Sequence, residues 1–126
     1  MKKVIFRCAV CKLPLSNPVV ELVDRTKLAF EDIGGDYLPV GFFAVVDAHA
    51  TGFEAGHPVI NLRDAIHTKH HPDPTRLFGC CGPSGAGQRN TLCANGHEVG
   101  SESSDCHTYH GVDLDPACVE MEHIKM

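Results

Sequence analysis

The chain of 126 residues carries 16 acidic and 11 basic side chains, a formal net charge of −5, and 43% of its residues are hydrophobic. This composition predicts one globular domain over residues 1–126. A nucleic-acid partner is not expected, because phosphate binding draws on clustered Lys and Arg, and here they are scattered. No stretch approaches the roughly 20 apolar residues of a membrane helix, so we expect no membrane partner either.

The first residues, MKKVIF, open like a signal peptide. However, Arg7 follows three apolar residues, where a secretory segment needs roughly seven or more. We therefore expect a cytoplasmic protein. Thiols stay reduced in that compartment, so seven cysteines, an odd number, indicate metal binding rather than a disulfide framework.

The N-terminal half alternates short apolar runs with turn residues. The stretch KKVIFRCAVCKLPLSNPVVELVD predicts a strand, a tight turn at residues 8–11 and a second strand around residues 19–23. TKLAFEDIGG allows one or two helical turns, which Gly34 and Gly35 end. VGFFAVVDA is short, apolar and rich in Val and Phe, and it predicts the clearest strand of the chain.

The remaining elements are shorter. HPVINLRDAIHTKHHPDP predicts a strand and then a helical turn with Asn61 as its N-cap, ended by Pro72 and Pro74. NTLCANGHEVG predicts a hairpin with Asn95 and Gly96 as a two-residue turn, and YHGVDLD predicts one more strand. Together these elements predict a small, β-rich α+β domain.

The cysteines predict a zinc site. Cys8 and Cys11 form a C-x2-C pair, the spacing of a zinc-ribbon knuckle. A zinc ribbon closes with a second such pair, but Gly96 stands three residues after Cys93, so another cysteine or a histidine must supply the missing ligand. Cys118 stands apart and is expected to be a core or surface thiol. The predicted metal ligands are Cys8, Cys11, Cys80, Cys81, Cys93 and Cys106.

An ion shared by both cysteine regions would pin the first hairpin to the last third of the chain. The sequence therefore predicts a zinc-ribbon-like fold with a long insertion between two metal-ligand regions. The neighbours Cys80 and Cys81 point opposite ways in a strand, which suits two ions, or one ion and one packing role. The number of ions stays open between one and two, with His70, His71 and His97 as further candidate ligands.

A catalytic alternative is an HNH-like nuclease. The HHP that begins at His70 and the NTLCANGH from Asn90 to His97 resemble the motif of that family. The resemblance implies that His71 is the general base, that His97 helps to hold a divalent ion and that Asn90 orients the loop. The chain departs from the family pattern because the second knuckle cysteine is absent and no helical pattern follows.

Other catalytic patterns fit less well. A zinc deaminase places H-x-E before P-C-x2-C, and a thioredoxin-like C-x2-C lies on a βαβ unit. The spacing of GCCG, Asn90, Cys93, GHEVG and SDC resembles uncharacterised bacterial cysteine-rich proteins with a zinc-ribbon-like core. That resemblance implies a metal-bound fold and supplies no activity. We therefore expect structural zinc in a binding or scaffold module rather than an enzyme, with another protein as the candidate partner.

Overall fold

One sheet of nine strands makes up most of the part of the chain that the computed structural model describes, namely residues 3–28, 34–46, 53–77, 83, 89–105 and 108–124. The strands are β1 Lys3–Cys8, β2 Val19–Glu21, β3 Phe42–Val45, β4 Pro58–Ile60, β5 Thr68–His70, β6 Thr91–Cys93, β7 Glu98–Ser103, β8 Gly111–Leu114 and β9 Val119–Ile124. Their order across the sheet is β5-β6-β7-β8-β4-β3-β2-β1-β9. Neighbouring strands are antiparallel, except that β2 and β3 run parallel.

Apolar side chains cover both faces of the sheet. Alternation is clear in β1, where Val4, Phe6 and Cys8 are buried and their neighbours are partly exposed. The central strands β4 and β8 are buried at every residue, as expected for strands covered on both faces. The first core cluster contains Val4, Phe6, Cys8, Leu15, Val19, Phe43, Ile60, Cys93, Val99, Val112, Leu114 and Val119. The second contains Leu22, Leu28, Tyr37, Leu38, Ala44, Val46, Phe53, Val59 and Tyr109.

The sheet curls until its two ends approach each other. Strand β1 is second from one edge and β6 is second from the other, yet Cys11 Sγ lies 3.8 Å from Cys93 Sγ. The segment that follows β1 bridges the same gap, since the Ile66 N–H donates to the Leu15 carbonyl at 2.9 Å. The first core cluster therefore fills the concave face, where side chains from both ends of the sheet meet.

The predicted α+β class is wrong. Helical structure in the described residues is limited to short 3-10 helices at Arg25–Lys27, Leu62–Asp64 and Pro74–Arg76. None of these has the length and apolar character that would let it cross a membrane. The chain is nearly all sheet because its apolar runs are short and bounded by turn residues, which suits strands rather than helices.

The predicted zinc-ribbon-like fold with a long insertion is also wrong. The segment between the two cysteine regions supplies β2 to β5, and β2, β3 and β4 lie inside the sheet rather than beside it. These strands contribute apolar side chains to both core clusters. The segment is therefore part of the folded sheet and not an insertion attached only at the metal site. The single domain over residues 1–126 stays a prediction.

Several local predictions are confirmed. Strands occupy the predicted runs at β1, β2, β3, β4 and β8, and β6 and β7 form the predicted hairpin pair. Asn61 caps the predicted helical turn, because its side-chain oxygen accepts the Arg63 N–H at 2.9 Å. The predicted end at Pro72 and Pro74 is wrong, because the turn ends at Asp64 and β5 follows it. The helical turns predicted after Thr26 fall partly on residues 29–33, which lie outside the described residues.

A substitution at Gly100 tests how closely β7 and β8 approach each other. A Cβ added at this position in β7 would lie 2.0 Å from the backbone oxygen of Asp113 in β8. We expect Gly100→Ala to lower the free energy of unfolding by about 3 kcal/mol or more, because backbone cannot yield as a side chain does. Urea unfolding measures the loss.

Gly56→Ala is the matched control. Nothing lies within 4 Å of a Cβ added at Gly56, although its φ of +87° still carries a strain cost of about 1–2 kcal/mol for alanine. Equal losses for the two substitutions would contradict the close approach of β7 and β8.

Candidate metal centre

The first half of the site is the turn that follows β1. The Cys8 N–H donates to the Leu13 carbonyl at 2.9 Å, and the Lys12 N–H donates to the Cys8 carbonyl at 2.8 Å. Lys12 has a φ of 64°, in the left-handed region that closes tight turns. The turn folds Cys11 back beside Cys8, so that the two sulfurs approach one point.

The second half is the hairpin of β6 and β7. The sequence predicted a two-residue turn, but the structure has a three-residue loop, residues 94–96, closed by the Cys93 N–H donating to the His97 carbonyl at 2.8 Å. Gly96 ends the loop with a φ of +92°, which glycine adopts readily. The three-residue loop places His97 opposite Cys93, where a two-residue turn at Asn95 and Gly96 would have placed Glu98.

Four side chains converge between these two turns. Cys8, Cys11, Cys93 and His97 each offer a ligand atom, and the four atoms lie within 4.8 Å of one another. Cys11 Sγ is 3.8 Å from Cys93 Sγ, while His97 Nδ1 is 3.7 Å from Cys8 Sγ and 3.4 Å from Cys93 Sγ.

These three distances match the edges expected of a tetrahedron of ligands around a metal ion. Bonds of about 2.3 Å to sulfur and about 2.0–2.1 Å to nitrogen imply edges of about 3.8 Å between sulfurs and about 3.6 Å between sulfur and nitrogen. A disulfide would instead require about 2.05 Å between two sulfurs. The group can therefore hold a metal ion.

The cysteines of the site differ in burial and in hydrogen bonding, and these differences shift the pKa values of Cys8 and Cys11. Cys8 and Cys93 are fully buried, and burial raises the pKa of the Cys8 thiol above its usual value. Cys11 is partly exposed, and hydrogen bonds from the Asn95 side chain and the Leu13 backbone lower its pKa to about 6. Cys11 is consequently a thiolate at neutral pH, the form that binds metal.

The structure brings together half of the predicted cysteine ligands, Cys8, Cys11 and Cys93, and adds His97, which the sequence left open. Cys118 is a free thiol outside this group. The other predicted ligands lie outside the described residues: Cys80, Cys81 and Cys106. Their roles, and the choice between one ion and two, stay predictions.

Sequence reasoning missed Asn95 as a functional residue. An Asn before a Gly predicts a turn, and the turn is where Asn95 lies. Its position between Cys93 and His97 was the available signal, because a loop between two ligands holds its side chains close to the site. The side chain uses that position to stabilise the Cys11 thiolate.

The histidines that precede β6 are engaged elsewhere. His70 Nε2 lies 3.2 Å from Glu102 at the surface. His71 Nδ1 accepts the Asp73 N–H at 3.0 Å, and its Nε2 lies 3.6 Å from Glu98. Within the described part of the chain, neither histidine belongs to a group that can hold a metal ion.

The amide of Asn90 is used inside the sheet. It is fully buried, its Nδ2 donates to the Glu102 carbonyl at 2.9 Å, and its Oδ1 accepts the Glu102 N–H at 2.7 Å. These bonds span the irregularity at Thr91 and Leu92 where the pairing of β6 with β7 changes register. Asn90 therefore holds two strands together, and its geometry gives no support to the HNH-like interpretation.

Asn90→Ala separates a structural role from a catalytic one. We expect it to lower the free energy of unfolding by about 1–3 kcal/mol, because the Glu102 carbonyl loses the Asn90 amide and the Glu102 N–H keeps only the Thr91 hydroxyl as a side-chain partner. Urea unfolding measures the loss, and the metal content of the folded fraction should stay unchanged. Lys69→Ala, at an exposed position of β5, is the control and should change stability little. Loss of metal at unchanged stability would place Asn90 in the metal site instead.

Comparison with known proteins supplies no relative. No protein-family model, curated protein or solved structure matches the chain. The resemblance to bacterial cysteine-rich proteins therefore stays a prediction, and the function has to be argued from the geometry of the site.

Proposed function

We propose that this chain is a zinc-binding protein in which the ion is structural and closes the curled sheet. The observation that carries the proposal is the convergence of three sulfurs and one imidazole nitrogen within 4.8 Å of one another, with three of the distances between them close to tetrahedral edges. Cys3His is a common donor set of structural zinc sites. Thiolates favour zinc over magnesium and calcium, which prefer oxygen ligands.

A closed coordination sphere supports a structural rather than a catalytic ion. Four protein ligands would fill all tetrahedral positions, whereas a catalytic zinc keeps one for water or substrate. Cys8 and Cys93 belong to the same core cluster as Phe6 and Leu114, so the ion would lie against the hydrophobic core. This arrangement favours a binding or scaffold module over an enzyme.

Two features bear on where the protein acts and on its partner. Three reduced cysteines this close together persist in a reducing compartment, which supports a cytoplasmic location. Among the described residues, Arg7 pairs with Glu122, Lys12 with Glu120, and Arg89 with Asp115. Basic side chains neutralised in this way favour another protein over a nucleic acid as the partner.

The test is metal analysis of the purified protein. We expect one zinc ion at this site in each chain, and we expect His97→Ala to lose it, because three ligands remain. His97→Cys should keep the ion, since a thiolate replaces the imidazole. Cys118→Ser is the control, and it should keep both the ion and the wild-type thermal midpoint.

Chelation checks the structural role. Removing the ion from the wild-type protein should lower its thermal midpoint to that of His97→Ala, because structural zinc contributes directly to folding free energy. A reduced protein that binds no zinc, or whose thermal midpoint does not respond to chelation, would contradict the proposal.

A further inference from the structure

We propose that Cys11 and Cys93 form a redox-sensitive pair. A peroxide oxidises Cys11, and the disulfide that then forms with Cys93 expels the zinc ion while the sheet stays closed. This inference rests on the proposed zinc site and concerns the regulation of that site. A zinc site with a structural role alone would not require a redox-sensitive pair of cysteines.

Solvent reaches the site at Cys11. Cys8 and Cys93 are each 0% exposed, whereas Cys11 is partly exposed. The residue before Cys11, Val10, is 69% exposed, and Asn95, which hydrogen-bonds to the Cys11 sulfur, is exposed as well. A small oxidant dissolved in water therefore meets Cys11 before it meets either of the other two sulfurs.

Cys93 is the sulfur placed to react next. Cys11 Sγ lies 3.8 Å from Cys93 Sγ, while His97 Nδ1 lies 3.7 Å from Cys8 Sγ and 3.4 Å from Cys93 Sγ. Bringing the Cys11 and Cys93 sulfurs to a disulfide bond length of about 2.05 Å requires a shift of less than roughly 2 Å. The exposed turn that carries Cys11 can supply this shift more readily than the buried end of β6.

The chemistry balances with hydrogen peroxide as the oxidant. The Cys11 thiolate attacks one peroxide oxygen, the O–O bond breaks, and Cys11 becomes a sulfenic acid while hydroxide leaves and is protonated to water. The Cys93 thiolate then attacks the Cys11 sulfur, so that the S–S bond forms, the S–O bond breaks and a second hydroxide leaves as water. The two thiolates lose two electrons and the peroxide gains them. The ion retains one sulfur and one nitrogen ligand and dissociates.

The position of the new bond decides what oxidation does to the fold. Cys11 and Cys93 are 82 residues apart, and they join the turn after β1 to the hairpin of β6 and β7. Their disulfide would connect the same two parts of the sheet that the ion connects. A disulfide between Cys8 and Cys11 would stay within one turn and release the hairpin. The geometry therefore describes a switch in metal occupancy that leaves the sheet closed.

The experiment titrates zinc-loaded wild-type protein with hydrogen peroxide in the presence of a colorimetric zinc chelator. We expect one zinc ion to be released for each disulfide formed. Trypsin cleaves after Arg7, Lys12 and Arg89, so the oxidised digest should contain residues 8–12 joined to the peptide that begins at residue 90, with fragment spectra placing the bond at Cys11 and Cys93. The thermal midpoint of the oxidised protein should exceed that of reduced, chelator-treated protein. Dithiothreitol with added zinc should restore the starting state.

The mapping uses wild-type protein because Cys11→Ser and Cys93→Ser remove metal ligands and are expected to destabilise the chain. Cys118→Ser is the control and should release zinc at the wild-type rate. A Cys8–Cys11 disulfide, a bond to Cys80 or Cys81, or zinc retained in a large excess of peroxide would overturn this inference and leave the zinc site standing. A reduced protein that never binds zinc would overturn the proposed function itself.

Discussion

The contact between the turn after β1 and the hairpin of β6 and β7 is the constraint on which the rest of the structure depends. These elements lie near opposite ends of the strand order, so the sheet has to curl before they can meet. Curling lets Phe6 from one end and Val99 from the other share one concave core with the central strands. Without this closure, apolar side chains from both ends would face water.

Backbone hydrogen bonds close the curl, and the zinc ion that we propose would add a larger contribution. Backbone hydrogen bonds such as Ile66 to Leu15 cross the gap, and each contributes about 0.5–1.5 kcal/mol. A structural zinc ion contributes an apparent ~10–16 kcal/mol in small peptides, comparable to the ~5–15 kcal/mol that stabilises a whole domain. The ion would therefore supply most of the free energy that holds the sheet closed. The hydrogen bonds would fix which residues face each other across the gap.

Local features of the fold could be predicted from the sequence, but the way in which they assemble could not. Short apolar runs predicted β1 and β3, and the cap at Asn61 followed from residue type. Sheet order depends on which runs pair across long stretches of chain, and the apolar period carries no such information. The zinc-ribbon-like prediction was wrong for that reason, because it treated the segment between the two cysteine regions as an insertion, whereas β2, β3 and β4 lie inside the sheet.

The metal site also combines residues that could be predicted from the sequence with residues that could not. Cys8 and Cys11 were predictable as ligands because their spacing alone brings two sulfurs together. His97 was not, because the two-residue turn predicted at Asn95 and Gly96 would place Glu98 opposite Cys93, whereas the three-residue loop places His97 there. The HNH-like resemblance gave Asn90 the role of orienting a loop, yet its amide bonds to the Glu102 backbone between two strands. A one-residue change in a turn thus decides the ligand set.

X-ray absorption at the zinc edge of the purified, reduced protein tests the central claim most directly, because it counts the donor atoms around the ion. A closed site predicts three sulfurs at about 2.3 Å and one nitrogen at about 2.0–2.1 Å. A coordination sphere without sulfur, or one in which oxygen occupies a ligand position, would contradict a structural ion held by Cys8, Cys11, Cys93 and His97.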